Sequence, residues 1–172
     1  MPLSVPQAIL NGPNEGRNTH ASEVNGVTSG QTFKRGAPLI ATAGLLVQAS
    51  EGPTVGIVGF AAANALNPDG VQSRENIDGV ARYTPADGEV FEATFATSSG
   101  GSLTAPVQVA LAQTDLFGVY GLSKFGSYGP WYVNKALTGA AGCVVIVGFK
   151  DAVGVNDARV YFKVKGSALA IA

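Results

Sequence analysis

Residues 30–61 read GQTFKRGAPLIATAGLLVQASEGPTVGIVGFA, and this stretch decides the class of fold. Its apolar residues fall in short runs cut by turn residues, which leaves no room for a helix of ordinary length. Residues 32–34 open an extended segment that Gly36 and Pro38 break. Residues 39–42 and 45–49 are set to pair across Ala43-Gly44, and Gly52-Pro53 turns the chain into Val55-Gly-Ile-Val-Gly-Phe60. Its only ionisable side chains are Lys34, Arg35 and Glu51, so the stretch reads as the core of a sheet, a scaffold before it is a site.

The same punctuation continues outward. Residues 80–84 and 89–97 are extended on either side of Pro85-Ala-Asp-Gly88, a hairpin-like turn. In the second of these, Phe91, Ala93 and Phe95 point one way and Glu92, Thr94 and Ala96 the other, the period of a half-buried strand. Residues 106–112 alternate likewise, with Val107, Val109 and Leu111 on one face. Residues 143–149 are apolar on both faces, as a central strand is. A turn at 151–157 then leads into residues 158–165, where Val160, Phe162 and Val164 face inward and Arg159, Tyr161, Lys163 and Lys165 outward, completing a hairpin. Val144-Val-Ile-Val-Gly-Phe149 echoes Val55-Gly-Ile-Val-Gly-Phe60, the trace that two similar sheet units would leave. The expectation is an all-β fold of small sandwich-like or barrel-like domains. A first β subdomain covers 31–101 and a second, packed on it, covers 102–172, divided at the small-residue run Thr97-Ser-Ser-Gly-Gly-Ser102.

Residues 1–30 hold Pro2, Pro6 and Pro13 with several Asn and Gly, too little apolar area for a core of their own. They read as an extended N-terminal arm, either a solvated tail or one ordered by lying on a neighbour through Leu3, Val5, Ile9 and Leu10. Residues 61–79 read as a long polar loop, with turns at Asn67-Pro68-Asp69-Gly70 and Asp78-Gly79. Residues 117–133 gather aromatic side chains between glycines, too broken for a helix and too apolar for a free loop. Tyr128, Trp131 and Tyr132 are the candidate contacts there, with Trp131 open to either a core or an anchor role.

The chain is 46% hydrophobic but only 13% charged, against about a quarter charged in an average domain. Burial against other chains is the expected cover for such a surface. Mean hydropathy is +0.22, yet Gly and Pro interrupt every apolar run short of bilayer length, so no membrane span is expected. Lys and Arg are scattered and the net charge is −1, which argues against a nucleic-acid surface. The N-terminus lacks a basic region followed by a long apolar run and reads as that of a chain made and used without export.

Catalytic chemistry is thin. His20 stands in the arm with no ligand-type neighbour, and Cys143 lies in a core strand, where a thiol behaves as a small hydrophobe. Asp69, Glu75 and Asp78 share a loop with Asn67 and Asn76 but match no calcium-loop spacing. Dinucleotide, phosphate-loop, serine-hydrolase and zinc spacings are absent, so no metal, cofactor or enzyme activity is expected.

The chain resembles the head decoration, or cement, proteins of tailed bacteriophages. In the first half the likeness rests on Thr32-Phe-Lys-Arg-Gly-Ala-Pro-Leu39, a short hairpin, Gly56-Ile-Val-Gly-Phe-Ala61 and strands around Tyr83 and Phe91. In the second it rests on Tyr120-Gly-Leu122, Trp131-Tyr-Val-Asn134, Val144-Val-Ile-Val-Gly-Phe-Lys-Asp151 and Ala158-Arg-Val-Tyr-Phe162. The resemblance implies a small all-β structural protein, made in the host cytoplasm and placed on the capsid exterior of the virion. There it ties neighbouring copies of the major capsid protein together, often as a trimer, with no enzyme activity. Two rivals stand beside it. A tail- or fibre-associated binding module would use residues 61–79, and a virion-associated hydrolase would use Asp115 beside Phe117, Tyr120 and Trp131.

Overall fold

A computed structural model describes residues 7–8, 23–27, 31, 33–64, 80–98, 105–126 and 130–170. Twelve strands run through them: β1 (Gln7–Ala8), β2 (Glu23–Gly26), β3 (Pro38–Thr42), β4 (Leu45–Gln48), β5 (Ile57–Ala61), β6 (Val80–Pro85), β7 (Phe91–Thr97), β8 (Val107–Gln108), β9 (Val119–Lys124), β10 (Trp131–Asn134), β11 (Val144–Phe149) and β12 (Arg159–Val164). Three short 3-10 turns are the only helical pieces among the described residues, so the fold is all-β. The β3–β4 hairpin forms where the turn residues place it, with Thr42 opposite Leu45. Ala43 and Gly44 both take positive φ, 51° and 78°. That backbone twists with the flanking strands, which is why two-residue hairpins favour it.

The strands divide into two sheets of one design. The first has the order β2-β6-β5-β3-β4. In the second, β7-β12-β11-β9-β10 follow in the same sense, and β10 pairs back onto β7 to close a five-stranded barrel. Numbering the five strands of each sheet along the chain gives first-fifth-fourth-second-third in both. The closing contact is parallel in both as well: Val133 opposite Phe95 in the barrel, and a single bridge from Val27 to Leu46 in the first sheet, which stays a curled, half-closed barrel. The echoed Ile-Val-Gly-Phe segments are the fourth strand of each unit, and each carries a bulge at its valine. Val58 is the extra residue between the pairs Ile40–Ile57 and Leu39–Gly59, and Val147 that between Ile146–Phe162 and Gly148–Tyr161. An extra residue bends a strand and raises its twist, which curling a five-stranded sheet requires.

The units share one hydrophobic core. Phe60 of the first sheet meets Phe91 of the barrel with ring centroids 4.4 Å apart, and Phe162 lies 5.7 Å from Phe60 and 5.8 Å from Phe91. Leu169 bridges to Ile57, and the Ala170 amide donates to the Ile57 carbonyl at 3.0 Å, so the C-terminal segment returns to the first unit.

Several details differ from the sequence expectation. β6 and β7 do not pair as a hairpin; the chain crosses from one sheet to the other between them. The two sheets part between Pro85 and Phe91; residues 99–102 of the run 97–102 lie outside the described residues. Glu23–Gly26, inside the arm of the sequence reading, pairs with β6 as the first strand of its unit. β7 is buried on both faces, from Phe91 to Ala96, because strands flank both its edges and an ion-pair network covers its polar face. Val107 is exposed while Leu111 is buried, since β8 is only two residues long and the chain leaves the sheet after it. The glycine-broken aromatic segment is a hairpin, with β9 and β10 paired from Gly121–Asn134 to Lys124–Trp131.

Candidate interaction surface

The 3-10 turn Gln113–Asp115 leads into β9 and is organised around one carboxylate. Asp115 is buried. Its Oδ1 accepts the Tyr120 hydroxyl at 2.7 Å, and its Oδ2 accepts the Ala112 amide at 2.8 Å and the Lys135 ammonium at 2.9 Å. Burial pushes the carboxyl up, but the hydrogen bonds from Tyr120, Ala112 and Lys135 outweigh it and hold Asp115 below its ordinary value. Burial and the neighbouring carboxylate push Tyr120 up to about 12. The Lys135 ammonium also lies 5.4 Å from the centre of the Phe95 ring. Both carboxylate oxygens are engaged, by three donors in all, which suits Asp115 to fixing a turn.

What this turn presents is Phe117. Its amide donates to the Ile146 carbonyl at 2.9 Å, and the Gly118 amide donates to the Asp115 carbonyl at 3.0 Å, so the backbone on either side is tied down. Phe117 has φ 62°, a left-handed conformation that costs an L-residue about 1–2 kcal/mol. Phe117 is 71% exposed, the most of any large apolar residue among the described residues. Glycine at 118 answers a different need: a Cβ there would come within 2.6 Å of the Tyr120 ring.

A second cluster lies on the polar face of β7. Glu92 is buried, and Lys150 donates to both of its oxygens at 2.9 and 2.8 Å. Arg159 lies 3.5 Å from Glu92 and donates from its backbone and its Nε to Asp151 at 2.7 and 3.2 Å. Those bonds hold Asp151 below the usual carboxylate value. β10 pairs with β7 only at Phe95 and Ala96, which leaves the same edge open at Phe91 and Glu92. β1 fills that place, with Gln7 opposite Glu92 and Ala8 opposite Phe91. Residues 7–8 of the arm are thus a strand added to a sheet edge.

Of the residues singled out as contacts, Leu3, Val5, Ile9, Leu10 and Tyr128 lie outside the described residues. Trp131 and Tyr132 are buried to 2% and 1% exposure in β10. Trp131 packs in the hydrophobic core, and Tyr132, on the other face of β10, hydrogen-bonds with Ser98 and Ser123. Among the described residues, the exposed aromatics of the same segment are Phe117 and Phe125. The sequence signal for them was a bulky residue directly before a turn glycine, in Phe117-Gly118 and Phe125-Gly126. Cys143 is buried and its thiol is pushed up to about 11 by burial, in keeping with a core role. Among the described residues, no three His, Cys, Asp or Glu side chains come together to hold a metal, and no helix is long and apolar enough to cross a membrane. Comparison with protein families, with curated proteins and with solved structures finds no match to this chain.

Proposed function

We propose that this chain is a structural virion protein that binds the outer surface of a tailed-phage capsid and stabilises it by bridging copies of the major capsid protein. The observation that carries this reading is the placement of β1 on the open edge of β7. Here β1 pairs with β7 of its own chain, and the same backbone pairing made on a neighbour's sheet edge would tie one subunit to the next. The sparse charge and the exposed apolar side chains Leu45, Val55, Val107, Phe117, Phe125, Val153 and Val155 support it, as does the engagement of Asp115 and Glu92 inside the fold. Many copies, each burying apolar area across joints between shell subunits, stabilise the assembled state by mass action, because only that state presents the complete site. Self-association as a trimer belongs to the same proposal.

The test mixes purified protein with empty shells of the major capsid protein that accompanies it. The shells are pelleted, and co-sedimentation and shell melting are followed. Saturable binding with a raised shell melting temperature is the expected result, and removal of residues 1–10 weakens it. Absence of co-sedimentation with unchanged melting overturns the proposal and leaves the tail-associated module as the reading to pursue.

A further inference from the structure

We infer that Phe117 is the anchor by which this protein seats in an apolar pocket of the shell subunit, an inference that rests on the shell-binding function proposed above. Three observations meet at this residue. The residue is 71% exposed and stands outside the core cluster. Its backbone is left-handed, a conformation that glycine adopts freely and a bulky residue does not. The turn that holds it is fixed from beneath by three donors on the buried Asp115 and by the Phe117 amide on Ile146. Backbone strain of this kind collects at sites that bind, and here it falls on a solvent-facing aromatic held on a rigid turn.

The chemistry around the ring selects the partner. The exposed neighbours Gln113 and Thr114 are uncharged, and the charge of Asp115 is buried against Lys135. A polyanion or an anionic lipid surface would call for clustered Lys and Arg, which this turn lacks. A sugar stacked on the ring would find the adjacent carboxylate buried and held by three donors of the fold. A single rigid aromatic knob beside the uncharged Gln113 and Thr114 matches a concave apolar pocket on another protein, and its fixed geometry keeps the entropy lost on docking small.

Three variants in the pelleting assay test this. Phe117→Ala and Phe117→Gly lower shell affinity by about 30-fold, the loss typical of a central anchor, while Phe117→Trp retains binding. The free Phe117→Gly protein melts no lower than wild type, because glycine relieves the left-handed backbone and no core contact is lost. Wild type and Phe117→Gly binding shells equally well overturns the inference and leaves the shell-binding function standing. A lowered melting temperature of free Phe117→Gly assigns the ring to the fold and overturns it too. Wild type failing to bind shells at all overturns the function, and with it the assigned partner.

Discussion

Tyr120 donates its hydroxyl to Asp115 at 2.7 Å, joining the first turn of β9 to the carboxylate that precedes it. Tyr120 titrates at about 12 in the folded chain against 10.0 for an ordinary phenol. The folded state therefore keeps a proton that the unfolded state releases, and the pair's contribution is complete below pH 10 and lost as pH rises toward 12. Asp115 is depressed, so its contribution is complete above the ordinary carboxylate range and lost as pH falls through its lower folded value. Tyr120→Phe is expected to cost about 1–2 kcal/mol at neutral pH and to flatten the alkaline fall in melting temperature. Melting curves across the alkaline range check this; an unchanged slope in the variant would remove Tyr120 as its source.

Asn134 uses its whole side chain at the closing seam of the barrel. Its Oδ1 accepts the Ser98 amide at 3.1 Å and the Ala136 amide at 2.9 Å, and its Nδ2 donates to the Ser98 carbonyl and Ser123 Oγ, each at 3.0 Å. Asn134→Ala strands these groups and should destabilise the chain by about 2–3 kcal/mol in urea unfolding. Asn134→Asp, with acceptors only, should be at least as damaging. A loss under about 0.5 kcal/mol would mean that the seam holds without the amide.

The two echoed glycines should respond differently to the same change. A Cβ on Gly59 would stand 2.3 Å from the Thr84 carbonyl oxygen, a backbone atom that cannot step aside. On Gly148 it would stand 3.3 Å from the edge of the Tyr161 ring, which can turn. Gly59→Ala is expected to cost more than about 3 kcal/mol and Gly148→Ala less than about 1 kcal/mol. Thermal melting of the pair decides it, and equal losses would count against the close approach at Gly59.

Phe60→Ala removes the ring that ties the first sheet to Phe91 and Phe162, and the cavity left should cost about 3–5 kcal/mol. With one shared core, the wild-type protein should unfold in a single transition seen alike by Trp131 fluorescence and backbone circular dichroism. Separate transitions for the two probes would show the sheets to be independent.

The local rules of the chain were legible from its residues. Ala43-Gly44 announced a two-residue hairpin, and Val160, Phe162 and Val164 announced the buried face of β12, because turn torsions and strand alternation are set by neighbours a few residues apart. Cys143 was readable as a core residue for the same reason. The Ile-Val-Gly-Phe echo pointed to two like units, but one short echo carries no strand order. That order depends on pairings such as Glu92 with Tyr161 and Val133 with Phe95, between segments tens of residues apart. Alternation could not say that Glu92 would be buried, since Lys150 and Arg159 reach it only through the pairing of β12 with β7 and of β11 with β12. Trp131 and Phe117 show the same division at the candidate surface. Both are aromatic residues next to glycine or proline, and only the closing of the barrel put Trp131 inside it and left Phe117 in solvent, because burial is a property of what packs around a side chain.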